Sequence, residues 1–223
     1  MKIKVIIPNH GMDRKTLDER EVMLSRTVSE GVKISVDCID EGPAVVQSHT
    51  DEVDAAVSVI RQGVRAGHEG YDAVVVYCFS DVAVPALREH VSIPVIGPGE
   101  VSLAVASMIS NRFLVITTTE ANIPRTYRRL MANPIAREKM VSVRSLEISV
   151  QGLRDCPQKT VGSLRDVIRG YRKEDSFDTV VLGCLGMAEY GDPLMKELDV
   201  RIIDPAFVAL AYAEMAVRLN LRG

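Results

Sequence analysis

Cysteine is the residue type in this sequence best suited to moving a proton, and two of its four cysteines sit in matched surroundings. Cys78 ends the stretch Tyr71-Asp72-Ala73-Val74-Val75-Val76-Tyr77, and Cys184 ends Phe177-Asp178-Thr179-Val180-Val181-Leu182-Gly183, 106 residues later. A thiol after an apolar strand and before a helix start meets backbone N–H groups and the positive end of a helix dipole, which favour the thiolate. Either cysteine alone reads as a small apolar residue filling a strand end. The pair, at one position of a repeat, reads as a functional couple. One thiolate removes a proton from a carbon stereocentre while the opposing thiol returns a proton to the other face. The result is racemisation or epimerisation without metal or organic cofactor. Cys38 and Cys156 are not repeat partners, since an offset of 110 sets Cys38 opposite Ile148, and both read as structural or incidental.

A carbon acid also needs its developing enolate charge stabilised. Asn9, Ser80, Thr118 and Thr119 lie just beyond strand candidates, as do the backbone N–H groups of Phe79, Ser80, Leu185 and Gly186. Ser, Thr and Asn at such junctions also serve as N-caps. Gly186 allows close backbone approach to a ligand, or serves the turn. Asp81 reads as a first-turn helix residue rather than a base. His10 follows Asn9 and reads as a solvated loop residue, and His49, His68 and His90 as surface residues. Other site classes are absent: no CxxC or HExxH spacing for a metal, no GxxxxGK[ST] and no GxSxG. Gly97-Pro98-Gly99 lacks the remaining glycine spacing of a dinucleotide fingerprint.

The elements that must hold these residues alternate regularly. Strand candidates are Ile3–Pro8, Lys33–Cys38, Ala73–Tyr77, Ile93–Ile96, Phe113–Thr117, Val141–Glu147, Thr179–Leu182 and Arg201–Ile203. Several are continuous apolar runs, as in strands buried on both faces. Helical periods lie between them, including Asp51–Ala66, with Val53, Ala56, Val57 and Ile60 on one side, and Ala206–Leu219. This rhythm predicts an α/β protein with one or two parallel sheets covered by helices, its ligands bound beyond the carboxyl ends of the strands. The repeat extends past the cysteines. Val95-Ile96-Gly97-Pro98 matches Ile202-Ile203-Asp204-Pro205 at an offset of 107, and Val5-Ile6-Ile7-Pro8-Asn9 matches Val115-Ile116-Thr117-Thr118-Thr119 at 110. Two homologous lobes follow, most simply packed about a pseudo-two-fold axis with their strand ends facing one cleft.

Composition fits a small-molecule enzyme. The chain has 223 residues, 47% hydrophobic and 26% charged, with a formal net charge of −3. That is the profile of a folded soluble domain or pair of lobes. Scattered Lys and Arg argue against a nucleic-acid groove. No apolar stretch approaches the roughly 20 residues of a membrane span, and the N-terminal apolar run is too short for a secretory signal. The cytoplasm is the expected compartment, and the thiols are expected to be free there. Aromatic content of 4% suits a small polar substrate that needs no stacking platform.

At Ile7-Pro8-Asn9, Cys78-Phe79-Ser80-Asp81, Pro98-Gly99-Glu100 and Gly183-Cys184-Leu185-Gly186-Met187 the chain resembles the aspartate/glutamate racemase superfamily, and within it the hydantoin racemase branch. The resemblance covers essentially the whole chain. It implies two pseudo-symmetric lobes, each a four-stranded parallel sheet flanked by helices, with the active-site cleft between them. Residues 1–97, completed by a returning C-terminal helix 206–223, would form the first lobe, and residues 98–205 the second. It further implies cofactor-independent two-base catalysis by Cys78 and Cys184, a homo-oligomer, and substrate contacts from Asn9 and Thr118 or Thr119. Amino-acid racemases of the superfamily tend to carry Asn-Thr after the first cysteine and Thr-Glu after the second. Phe79-Ser80 and Leu185-Gly186 stand there instead, which disfavours aspartate or glutamate and favours a neutral cyclic ureide: a 5-substituted hydantoin or allantoin. Gln47, where many hydantoin racemases have an acidic residue, and Leu185, where Ala is common, leave the 5-substituent open. The rival readings are an amino-acid racemase, decarboxylase or dicarboxylate isomerase of the superfamily, a non-enzymatic module binding a small anion, and a thiol redox sensor.

Overall fold

A computed structural model describes residues 1–131 and 133–221. In chain order the elements are β1 (Lys2–His10), α1 (Arg14–Ser25), β2 (Lys33–Ile39), α2 (His49–His68), β3 (Ala73–Val76), α3 (Val84–Arg88), β4 (Val95–Ile96) and α4 (Pro98–Ile109). Then follow β5 (Phe113–Thr117), α5 (Ile123–Met131), α6 (Pro134–Lys139), β6 (Met140–Ser145), α7 (Gly152–Asp155), α8 (Pro157–Tyr171), β7 (Thr179–Leu182), α9 (Asp192–Leu198), β8 (Arg201–Ile203) and α10 (Pro205–Arg218). Short 3-10 turns occupy Glu120–Asn122 and Leu185–Met187. The chain divides into two compact units, one comprising Met1–Pro98 and the segment from Ala206 onward, the other Gly99–Pro205. Of the helix expected over 206–223, α10 ends at Arg218, and residues 222 and 223 lie outside the described residues.

Each unit holds one four-stranded parallel sheet, ordered β2-β1-β3-β4 in the first and β6-β5-β7-β8 in the second. The sequence repeat reappears as register. Val5 pairs with Val75 and Val115 with Val181; Val74 pairs with Val95 and Val180 with Ile202. The repeated aspartate has a structural task. Asp72 accepts the Lys2 N–H (2.7 Å) and Asp178 the Asn111 N–H (3.0 Å), so each latches the start of its unit's first strand.

Burial explains the apolar patterns. The central strands β3, β5 and β7 are buried at every position, whereas the edge strand β2 alternates. The open edge of β2 is covered by side chains of α1. Glu21 accepts the Val36 N–H (3.0 Å) and Arg14 donates to the Val36 carbonyl (3.2 Å), so the edge offers less of a template for another strand. One core gathers Ile6, Ile39, Val59, Val74, Val76 and Leu87, and the other Leu114, Ile116, Leu153, Leu164, Val180 and Leu182.

The buried face of α2 differs from the one expected. Val53 and Val57 are exposed, at 70% and 55%, while Ala55, Val59, Gly63 and Ala66 are buried. Close approach decides the face. A Cβ on Gly63 would fall 2.3 Å from a Leu87 methyl, so α2 turns its smallest residues toward α3.

Candidate active site

In the first unit, β1 and β3 are neighbours, and the Tyr77 N–H donates to the Ile6 carbonyl (2.8 Å), carrying the ladder just past β3. Cys78 follows directly, half-buried, its N–H bonded to the Val76 carbonyl (2.7 Å) in a tight reversal. Phe79 is buried and Ser80 half-buried. Asp81 does not open a helix, contrary to expectation. Its φ is +50°, in the left-handed region, and its carbonyl accepts the Val84 N–H (3.1 Å) where α3 finally starts. Ala83 is left-handed too, at +56°. Such backbone costs about 1–2 kcal/mol per non-glycine residue and is held only where the surroundings over-determine it. Gly97 is part of that hold: a Cβ there would lie 2.6 Å from Asp81 Cγ.

Asn9 lies within β1 rather than beyond it, because the strand runs on to His10. It sits at a bulge, since the pairing with β2 shifts between Ile7 and His10. Pro8 lacks the N–H that a regular ladder needs, and bulges of this kind re-aim a side chain at the end of a sheet. Asn9 is half-buried there. His10 is exposed, its N–H bonded to the Pro43 carbonyl (2.7 Å) and its Nδ1 3.3 Å from the Ile39 carbonyl oxygen.

The second unit repeats the arrangement with different details. The Gly183 N–H donates to the Ile116 carbonyl (2.7 Å), and a Cβ on Gly183 would approach that oxygen to 2.9 Å. Cys184 then enters the Leu185–Met187 turn, and its Sγ accepts the Gly186 N–H (3.4 Å). No α-helix starts at either cysteine, since α3 begins at Val84 and α9 at Asp192, but Cys184 is the N-cap of the short 3-10 turn Leu185–Met187. At Cys184 a peptide N–H, that of Gly186, is aimed at the sulfur. Gly186 serves the turn, because a Cβ there would lie 2.7 Å from Leu153 Cδ1. Leu185 is buried.

Thr118 and Thr119 follow β5, beside Cys184. Thr118 is 1% exposed, and its hydroxyl accepts from Asn122 Nδ2 (2.5 Å); Thr119 is half-buried. Asn122 was not legible as a site residue from sequence, yet it holds both threonines, and its Oδ1 is buried without a partner. Arg154 was equally illegible. It donates to the Gly186 and Ala188 carbonyls (3.1 and 3.2 Å), inside the loop that carries Cys184. No motif surrounds it.

The expected residues therefore gather in two sets. Asn9, Cys78, Phe79 and Ser80 occupy the carboxyl ends of β1 and β3; Thr118, Thr119, Cys184, Leu185 and Gly186 occupy those of β5 and β7. This is where parallel sheets place their ligands. Cys38 and Cys156 stand apart, the first with Sγ 3.9 Å from the Met12 carbonyl oxygen, the second exposed at the start of α8. A cavity of about 460 Å³ in the first unit is lined by Lys4, Arg14, Asp37, Cys38, Gln62 and Arg65 among others, and by none of the expected site residues. Of its charges, Lys4 and Arg14 pair with Asp37, and Arg65 with Asp40. Among the described residues, no group of three or more His, Cys, Asp or Glu could hold a metal, and no helix is long and apolar enough to cross a membrane.

Residues 18–213 match the model of a family described as Asp/Glu/Hydantoin racemase. The chain belongs to this family. A hydantoin racemase of Pseudomonas sp. (strain NS671) is 32% identical over 221 residues, spanning 99% of this chain and 87% of that protein. A hydantoin racemase of Rhizobium meliloti is 35% identical over 175 residues, spanning 77% and 71%. Among solved structures, allantoin racemase from Klebsiella pneumoniae superposes with a TM-score of 0.92 at 29% identity, covering 100% of this chain and 89% of that one. The protein is thus an enzyme of the racemase class of isomerases.

Proposed function

We propose that the protein racemises 5-substituted hydantoins or the related ureide allantoin, with no metal or organic cofactor, by two-base proton transfer between Cys78 and Cys184. The observation that carries this reading is the placement of the two thiols. Each follows the third strand of its unit, beside the end of the first, at matching register. The C5–H of a hydantoin lies next to a carbonyl, so its removal leaves an enolate whose charge can be shared with hydrogen-bond donors. A thiolate takes the C5 proton and becomes a thiol. The other thiol gives its proton to the opposite face of C5 and becomes the thiolate. Charge is conserved, and the enzyme is left poised for the reverse direction.

Asn9, Ser80 and Thr119, half-buried at strand ends, are proposed to hold the ring's polar groups together with the Phe79 and Leu185 peptides. Thr118 then acts from behind Thr119 rather than on substrate. The residues following the two cysteines carry no charge apart from Asp81, which supports a neutral ring over an α-amino acid. The hydantoin and allantoin racemases among the relatives support the same class.

Polarimetry with enantiopure 5-substituted hydantoins, allantoin, aspartate and glutamate tests the substrate. Loss of rotation is expected for the ureides alone, and to fall by about 10²–10⁴-fold when either Cys78 or Cys184 becomes Ser. Racemisation confined to the amino acids would overturn the substrate class. We also propose self-association, supported in the second unit by exposed Met108, Met131 and Ile135, at 72%, 61% and 59%, and measurable by light scattering. A reducing compartment such as the cytoplasm suits the four thiols.

A further inference from the structure

The turn that presents Cys184 is short of hydrogen bonds that its own backbone can make. Within it, the Met187 N–H donates to the Cys184 carbonyl (3.1 Å), the Ala188 N–H to that of Leu185 (3.2 Å), and the Tyr190 N–H to that of Met187 (3.0 Å). Those bonds leave over the carbonyls of Gly186 and Ala188. Arg154 takes both, through Nε at 3.1 Å and Nη2 at 3.2 Å, and its guanidinium lies over the Tyr190 ring at 5.1 Å. A planar cation with donors in a fixed fork is suited to bridging two oxygens and to stacking on an aromatic face at once.

The platform beneath Arg154 is itself fixed. Ser149 Oγ accepts the Gly152 N–H (3.1 Å) at the start of α7. The buried Thr160 hydroxyl donates to the Leu153 carbonyl (2.8 Å), and the fully buried Leu153 packs where a side chain on Gly186 would have to go. The anchored helix thus grips, through its carbonyl, the same residue whose N–H faces Cys184 Sγ at 3.4 Å. Gly186 bonds sulfur on its amide side and Arg154 on its carbonyl side.

We infer that Arg154 is a positioning residue that clamps the Cys184 turn and keeps the Gly186 N–H aimed at the sulfur, so that the turn's thiol remains in reactive geometry. The inference deepens the two-cysteine reading and rests on it for its catalytic consequence, though not for its effect on the thiol itself. Without the fork, the turn keeps its internal bonds and the Leu153 packing but loses the two Arg154 hydrogen bonds to α7. A displacement of about 1 Å at a reacting group costs on the order of 10²-fold in rate.

The test uses the full chain with Arg154→Ala and Arg154→Lys, folding being checked by circular dichroism. Iodoacetamide labelling across pH is read separately at each cysteine by mass spectrometry. Arg154→Ala is expected to slow labelling of Cys184 by about tenfold near neutral pH and to displace its pH profile, while Cys78 and exposed Cys156 label as before. Hydantoin racemisation is expected to lose roughly 10²-fold in kcat with KM within about threefold. Lysine, which keeps the charge without the fork, should fall between, and it serves as the test if the alanine variant does not fold. Added guanidinium ion should restore part of the Cys184 labelling rate in the alanine variant. An unchanged Cys184 profile, or equal changes at Cys78 and Cys184, would overturn the inference. Failure of the two-cysteine reading shows separately, as racemisation surviving Cys184→Ser, and leaves the labelling result to decide the clamp.

Discussion

Replacing Gly183 by alanine probes how tightly the approach to Cys184 is built. The new Cβ would lie 2.9 Å from the Ile116 carbonyl oxygen, 3.3 Å from its carbon and 3.4 Å from Thr117 Cα. All three are backbone atoms of β5, so no rotamer change relieves the contact. The strand ends must part, and the Gly183 N–H to Ile116 bond, now 2.7 Å, must lengthen. Overpacking of this kind costs about 1–3 kcal/mol, and each kcal/mol lowers Tm by roughly 2–4 °C for a chain of this size. Cys184 follows directly, so a shift approaching 1 Å should also reduce kcat by on the order of 10²-fold. Thermal melts and racemisation kinetics read the two effects together. The repeat supplies its own control, since Tyr77 occupies the matching place in the first unit, where a full side chain is accommodated. Wild-type stability and kcat in Gly183→Ala would refute the reasoning.

Two further outcomes follow from the packing and charge of the units. Val53→Lys and Val57→Lys on α2 should leave stability within about 0.5 kcal/mol, whereas Val59→Ala should cost roughly 1–3 kcal/mol as a core truncation; urea midpoints distinguish the two faces, and equal losses would contradict the observed one. At Asp178, burial pushes the carboxyl pKa up, but the Asn111 N–H, the Thr179 hydroxyl and Arg201 outweigh it and hold the value below the usual range. Its contribution is therefore complete above the unfolded-state pKa near 4 and is lost as pH falls through the lower folded value. Asp178→Asn should flatten that acid limb in urea titrations below about pH 4; an unchanged slope would contradict the assignment.

The presence of two similar parallel sheets was legible because the repeat survives in the buried strands. Val74-Val75-Val76 and Val180-Val181-Leu182 cannot drift far without exposing apolar surface, so their matching kept the repeat visible. Strand limits were less legible. β1 runs to His10 through a bulge at Pro8 and Asn9, where a proline would ordinarily mark an end. The face of α2 was misread because apolar spacing says which residues can be buried, while the neighbour's shape says which are. Leu87 leaves room for Gly63 and not for a valine row. At the site, the cysteine pair and the polar strand ends were visible by type and spacing. The helix starts assigned to them were only partly there: a left-handed Asp81 separates Cys78 from α3, and Cys184 caps a single 3-10 turn rather than an α-helix. Arg154 and Asn122 act through carbonyls and hydroxyls brought close only by folding, and no local pattern announces them.

The central claim is that two different thiols serve the two faces of one carbon. Its most direct measurement is the initial distribution of deuterium at C5 when an enantiopure 5-substituted hydantoin is turned over in heavy water, resolved by chiral chromatography and mass spectrometry. Two opposed thiols should place solvent deuterium in the product enantiomer while the remaining substrate stays protiated at early times. Deuterium entering both enantiomers at equal initial rates would mean a single base working on both faces, and would contradict the account.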